Sequence, residues 1–496
     1  MNTGWRKLIA SARVGIDALF GNTRGSTLAM CAAAVIPLLL IVGSGLDMSR
    51  AYMAKLRLQQ ACDAGSLAGR RVMQNDTLNS TVTTEANKFF NFNFPQGAFQ
   101  TATFTPSITK PASGVIRITA STTIPTSIMK IFGYTTLPLS VDCKAEQHFI
   151  NTDVMLVLDT TGSMADPVGG IAKIVSLRAA VLALYDQLAP VQTQLEAAGM
   201  RLRYGIVPYS ITVHTGNLVY ALDNSYVSST WKYQQCVSNC GGTKVWGTPD
   251  VTHTTTWMNG GAGNWGGCIE ERSTVNTIVT SADLTIPANA YDIQIDTIPT
   301  NAATRWGPYD PTAEQRENSG DANATACPAQ AKRMQAWTRA NLSTYLDTLN
   351  ADGYTYHDIG MVWGARLLSH EGIFAADNPN TYNGMDVNRY LIFMTDGDPV
   401  AANDAYTAWG VEAYDQRVGS SSSSDFSRHV QRMNMVCNAL KAKNVSIWVV
   451  GFDNDIDYVS GCASNPNQAA VASNQAALIA KFTEIGQTIG ALRLSQ

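Results

Sequence analysis

Charge is scarce in this chain. Only 15% of its 496 residues are Asp, Glu, Lys or Arg, and 35 basic against 39 acidic side chains leave a formal net charge of −4. There is no basic patch and no aromatic RNA-binding string, so nucleic acid is excluded as a partner. Histidine is scarcer still: the six are scattered, and none stands near cysteine at zinc-site spacing. No C-x-x-C occurs, and no strained elbow string supports a Ser/His/Asp triad. Long hydrophobic runs are also few, and one of them is informative.

Thr27 to Leu46 carries no charge over about twenty residues, long enough to cross a bilayer as a helix. Pro37 lies inside it, which a transmembrane helix tolerates. Gly43-Ser44-Gly45 would suit a signal peptidase. Against cleavage stand the leader of about 26 residues and the alanine- and leucine-rich helical pattern that continues from Asp47 to Arg71. The expectation is an uncleaved single-pass anchor: a cytoplasmic leader (1–26), a transmembrane helix (27–46) and a helical stalk (47–75). Arg6, Lys7, Arg13 and Arg24 precede the span while Arg50, Lys55 and Arg57 follow it, so basic flanks do not orient it.

Nine cysteines occur. Cys31 falls within the apolar span and reads as a small buried residue. The eight beyond it are even in number and widely spread, which favours disulfides in an oxidising compartment over a thiolate zinc site at Cys236, Cys240, Cys268 and Cys327. Cys437 and Cys462 flank one helix–strand unit and are the disulfide candidates singled out.

Residues 76–150 alternate Thr, Val, Ile and Phe, as in Val115-Ile116-Arg117-Ile118, and predict a small β-rich module. From 151 to 496, helical and strand patterns alternate, which indicates a doubly wound α/β sheet. An insertion at about 216–335 interrupts it. That stretch holds Trp231, Trp246, Trp257, Trp265 and Trp306 and four cysteines, too many of both for disorder.

Two strings in this region carry chemistry. Val154-Met155-Leu156-Val157-Leu158 ends in Asp159-Thr160-Thr161-Gly162-Ser163, and Leu391-Ile392-Phe393-Met394-Thr395 ends in Asp396-Gly397. Each is an apolar run suited to a strand buried on both faces, ending in an acidic, hydroxyl-bearing turn. Open α/β sheets bind ligands at the carboxyl ends of their strands. Carboxylates and hydroxyls collected there are hard oxygen donors for a divalent cation. Singly, these Asp and Ser residues would serve equally as caps and turn formers.

The D-x-T-x-S pattern of Asp159, Thr161 and Ser163 resembles the metal-ion-dependent adhesion site of von Willebrand factor A domains, with Thr161 where serine is usual. The resemblance implies a third-loop threonine, Thr355, and a fourth-loop aspartate, Asp396. It also implies a magnesium ion (Mn2+ or Ca2+ as alternatives) and a protein partner presenting a carboxylate. Over nearly the whole chain there is a further resemblance to TadG-like proteins of tight-adherence (Flp-type) pilus systems. It rests on Arg24-Gly25-Ser26, Leu46-Asp47-Met48-Ser49-Arg50, Leu58-Gln59-Gln60-Ala61-Cys62-Asp63-Ala64, Trp265-Gly266-Gly267-Cys268-Ile269-Glu270-Glu271-Arg272 and Thr355 to Ser369. This implies a non-enzymatic inner-membrane protein, its large C-terminal part in the periplasm or outside the cell. Related minor pseudopilins carry a glutamate five residues after the glycine. Met30 stands there, counting from Gly25, which fits a retained anchor.

Asp159-Thr160-Thr161-Gly162-Ser163 also resembles the nucleophile loop of haloacid-dehalogenase-type phosphohydrolases, with Asp159 as nucleophile and magnesium at Asp396 and Asp398. Those enzymes require a lysine before the last acidic loop, and none lies between Lys332 and Asp396. A third reading is a structural envelope scaffold whose metal serves the fold alone.

Overall fold

The computed structural model describes residues 26–73, 77–112, 114–147, 150–261, 263–313, 326–402, 404–419, 426–490 and 494–495. Residues 1–25 of the expected leader and 314–325 of the expected insertion lie outside these. The chain divides into two compact units, 1–148 with 492–496, and 149–491.

The first unit begins with α1 (Ser26–Val72), a single helix running through Pro37 from the apolar segment into the alanine-rich one. Val35 to Val42 present exposed apolar side chains, and among the described residues nothing covers Leu38, Ile41 or Val42. Cys31 is exposed here too, where the sequence suggests a buried residue: among the described residues nothing covers it. Further along, Ala54, Leu58, Ala61 and Cys62 are buried against Val82, Ala86 and Phe90 of α2 (Ser80–Asn93) and against Ile116 and Ile118. Gly65 lets α2 approach closely: a Cβ there would meet the Ala86 carbonyl at 3.0 Å. The strands β1 (Ser107–Thr109), β2 (Val115–Pro125) and β3 (Thr136–Gln147) form an antiparallel sheet, joined at β3 by Leu494–Ser495. A Cys62–Cys143 disulfide ties α1 to β3.

The second unit is built on a mixed sheet. Its strands in chain order are β4 (Asn151–Asp159), β5 (Leu202–Tyr209), β6 (Lys332–Gln335), β7 (Met385–Thr395), β8 (Ser446–Phe452) and β9 (Ala469–Ala472). In space the order is β6-β5-β4-β7-β8-β9, with Thr381–Tyr382 paired onto β7. Within that order all neighbours are parallel except β6, which runs antiparallel to β5 at one edge; Thr381–Tyr382 is antiparallel to β7. Residues 332–335 therefore belong to the sheet, where the sequence reading carried the insertion to about 335. Four residues of Lys-Arg-Met-Gln are too short and too polar to announce a strand.

Every residue of β4 is buried, as a central strand with both faces covered requires. Val154, Leu156 and Leu158 pack with Leu177 and Leu184 of α3 (Lys173–Ala197) and Phe482 and Ile485 of α7 (Gln475–Gly490). Leu342 and Leu346 of α4 (Arg339–Leu346) join that side. Met155 and Val157 face the other way, towards Ile359, Val362 and Trp363 of α5 (His357–Leu368) and Met433 and Val436 of α6 (Phe426–Ala442). Both α1 and α3 are long and apolar enough to cross a membrane, but α3 is a core helix.

The described residues of the insertion pack against α5 and α6. Trp265, Ile269, Ile293 and Trp306 share their core. Cys236–Cys240 and Cys268–Cys327 are disulfides, as is Cys437–Cys462 between α6 and the segment after β8. Glu271 is fully buried: one carboxylate oxygen accepts from Arg366 at 2.6 Å and Trp363 at 2.7 Å, the other from Trp306 at 3.2 Å. A carboxylate answered by a guanidinium and two indoles is how a polar insertion can sit in a low-dielectric core.

Candidate functional site

Parallel register sets the site. β4 pairs Leu158 with Met394 of β7, so Asp159 and the Thr395-Asp396 pair leave the sheet side by side at the carboxyl ends of neighbouring strands. Backbone sterics do the rest: after Asp159 the chain breaks into a turn whose 3-10 segment spans Gly162–Ala165.

Four of the expected residues form one hydrogen-bonded cluster. Asp159 Oδ1 accepts from the Thr161 amide at 2.9 Å and the Thr161 hydroxyl at 2.6 Å. Thr161 Oγ1 and Ser163 Oγ are 3.1 Å apart, and Ser163 Oγ donates to Asp396 Oδ1 at 2.8 Å. The fifth, Thr355, is buried on an adjoining loop, and its hydroxyl makes no hydrogen bond to the other four. Its loop is nonetheless fastened to both strand ends: Gly162 N donates to Gly353 O at 2.8 Å, Asp352 N to Thr160 O at 2.8 Å, and Val400 N to Thr355 O at 2.8 Å.

Four further side chains complete the arrangement. Lys173, the first residue of α3, places Nζ 3.1 Å from Asp396 Oδ2. The helix dipole disfavours a cation at that end, and the Asp396 carboxylate offsets this. Thr395 Oγ1 donates to Asp159 Oδ2 at 2.8 Å, and the Tyr209 hydroxyl lies 3.2 Å from the same oxygen. His357 Nε2 is 2.8 Å from Thr395 Oγ1, and the neighbouring Asp358 bonds His429 at 2.7 Å. His357 and Asp358 thus open α5 and tie it to the end of β7 and to α6, while Trp363 and Arg366 donate to Glu271.

Burial governs the electrostatics. Asp159 is wholly buried, and that desolvation, with the nearby Asp396 charge, pushes its carboxyl up to about 7. Burial pulls the His357 imidazole down to about 3, so it is neutral at physiological pH, and raises the Tyr209 phenol well above its usual value. The Lys173 ammonium pairs with Asp396, whose side chain, like that of Asp159, is buried.

These donors are of the class that could hold a hard cation. All are oxygens, two anionic and the rest hydroxyl, which suits Mg2+, Mn2+ or Ca2+ and not a soft metal. Among the described residues no group of three or more His, Cys, Asp or Glu side chains is gathered, so any such site depends on its hydroxyls. Asp159 and Thr161 are fully buried, whereas Ser163 is only partly buried.

Residues 25–73 match the family model for Flp pilus-assembly TadE/G-like proteins. No curated relative matches the chain. Among solved structures, the pilus adhesin SpaC of Lactobacillus rhamnosus GG is similar at 11% identity and TM-score 0.32, over 78% of this chain and 34% of its own. The chain thus spans about a third of that adhesin's length. The von Willebrand factor domain of the type V pili tip protein Mfa5 of Porphyromonas gingivalis matches at 11% identity and TM-score 0.33, over 70% of this chain and 98% of its own. The PilB minor pilin of Streptococcus sanguinis matches at 12% identity and TM-score 0.32, over 78% and 77%. The exposed apolar stretch of α1 is long and apolar enough to cross a membrane. Over residues 25–73 the chain is thus similar to TadE/G-like Flp pilus-assembly proteins.

Proposed function

We propose that this pilus-associated protein binds a protein partner through a divalent cation held by a von Willebrand factor A-type, doubly wound domain. Asp159, Thr161, Ser163, Thr355 and Asp396 would hold Mg2+, directly or through water, and a carboxylate of a pilus or envelope partner would complete the coordination. The observation that carries this reading is the single hydrogen-bonded cluster joining Asp159, Thr161, Ser163 and Asp396 at the ends of adjacent parallel strands. The metal's contribution would be a localised positive charge that bridges two acidic surfaces. The chain's own contribution is to hold the oxygens in place: Thr395 and Tyr209 fix Asp159 from behind, and Lys173 neutralises Asp396.

Phosphohydrolase chemistry is served poorly by the same geometry. Both Asp159 oxygens accept hydrogen bonds and the side chain has no exposed surface, so it is not presented as a nucleophile. Lys173 does bring an ammonium to the cluster, but it is engaged by Asp396.

Calorimetric titration of the full chain in detergent with Mg2+, beside Asp159→Ala, tests the proposal. Saturable binding lost in a folded Asp159→Ala protein is the expected result. Absence of binding by folded wild type reduces the domain to a scaffold, and a phosphatase activity abolished by Asp159→Asn would overturn both readings.

A further inference from the structure

The connection between β2 and β3, residues 126–135, is built onto α1 at the end of its apolar run. Asp47 is buried and accepts three backbone amides of this connection: Ser127 N at 2.7 Å, Ile128 N at 2.9 Å and Met129 N at 2.8 Å. Arg50, one turn on, bonds the Ser127 hydroxyl at 3.2 Å and, on the turn before β1, the Phe99 carbonyl at 3.0 Å. Ile128 lies directly against Gly43, where any Cβ would overlap its side chain. The connection is therefore fixed at the height of Gly43 and Asp47.

That height has a meaning in a membrane. Ser26 to Leu46 rises roughly 30 Å as a helix, the thickness of a bilayer's hydrocarbon core. Gly43 lies about 5 Å inside the apolar end. At this level the connection turns outward the side chains that a soluble loop avoids: Ile131 is 76% exposed and Tyr134 62% exposed. Its sequence, Thr-Ser-Ile-Met-Lys-Ile-Phe-Gly-Tyr-Thr, has no acidic residue, and its single charge is the exposed Lys130. An apolar side chain, a tyrosine and a lysine around a tight 3-10 turn are the groups that settle at a lipid headgroup boundary. Tyrosine has an apolar body with a wet tip, and lysine can reach out to the phosphates.

We propose that residues 126–135 form a second membrane contact, inserting Ile131 and Tyr134 into the headgroup–acyl boundary beside α1. The first unit would then lie on the bilayer, held there by the Asp47 carboxylate, and would not swing on a free stalk. The inference rests on α1 being the membrane anchor, and the experiment separates the two. The full chain is reconstituted in vesicles of phosphatidylethanolamine and phosphatidylglycerol at 3:1. Nitroxide labels are placed on native Cys31, and, in a Cys31→Ala background, on Ile131→Cys, Tyr134→Cys and, as an aqueous reference on α2, Thr84→Cys. Power saturation compares accessibility to oxygen and to a water-soluble nickel chelate. The expected result is loss of nickel accessibility at 131 and 134, as at Cys31, with Thr84→Cys fully accessible. Labels at 131 and 134 that match Thr84→Cys while Cys31 is lipid-protected overturn the second contact alone. A nickel-accessible Cys31 overturns the anchor, and this proposal with it.

Discussion

Lys173→Met should tighten Mg2+ binding while weakening the metal-free fold. In the structure the ammonium stands 3.1 Å from Asp396 Oδ2, with side-chain exposures of 11% for Lys173 and 0% for Asp396. At an effective dielectric constant of about 20, a unit charge pair at that distance is worth roughly 5 kcal/mol before desolvation is subtracted. A divalent ion arriving at Asp396 must share or displace that ammonium, so part of this energy opposes binding. If only about 1.4 kcal/mol of it does so, deleting the charge tightens the dissociation constant about tenfold. The same deletion leaves Asp396 buried without a counter-charge, which costs the metal-free protein about 3 kcal/mol or more. Saturating Mg2+ should restore much of that loss by mass action. Calorimetry gives the affinity, and denaturant melts with and without Mg2+ give the stability. Lys173→Arg serves as the charge-retaining control. Unchanged or weaker Mg2+ affinity in folded Lys173→Met would refute the reasoning, since the ion would then not meet Asp396 where the lysine does.

Two more substitutions probe other links. Thr355→Val preserves shape and removes a hydroxyl that bonds none of the other four site residues. The melting midpoint should hardly move while Mg2+ affinity falls about tenfold, the lower end of what a perturbed metal shell costs. Equal affinity would remove Thr355 from the ligand set. Glu271→Gln keeps the hydrogen-bonding shape but leaves the Arg366 guanidinium, 1% exposed, facing a neutral amide. A loss of about 3–5 kcal/mol is expected in denaturant unfolding, and a loss under about 1 kcal/mol would show that the insertion is not held by this charge pair.

What could be read in the sequence, and what could not, follows from how far apart the interacting residues lie. Asp159, Thr161 and Ser163 were legible because one strand end carries all three within five positions, and a buried apolar run announces where that strand stops. Asp396 was legible for the same reason. Thr355 was reached through resemblance alone. It has no strand end of its own to mark it, and the structure ties its loop to the cluster by backbone, through Gly353 and Val400.

The unanticipated members have a common feature: their role is fixed by a neighbour across the sheet or across the chain. Thr395 looks like the last residue of a strand, yet register turns it inward onto Asp159. Tyr209 ends β5 and reaches the same carboxylate only because β4 and β5 run parallel and in step, Asp159 beside Tyr209. Lys173 reads as an ordinary basic residue near a helix start, where a cation is unfavourable. A cation in the wrong place along a helix is itself a signal, since something must offset it. That argument reaches beyond the site: Asp47 likewise stands, uncomfortably for a carboxylate, at the end of an apolar run, and its three amide donors come from a connection some eighty positions away. In both cases a charge that local propensity disfavours marks the place where distant chain has been brought to meet it.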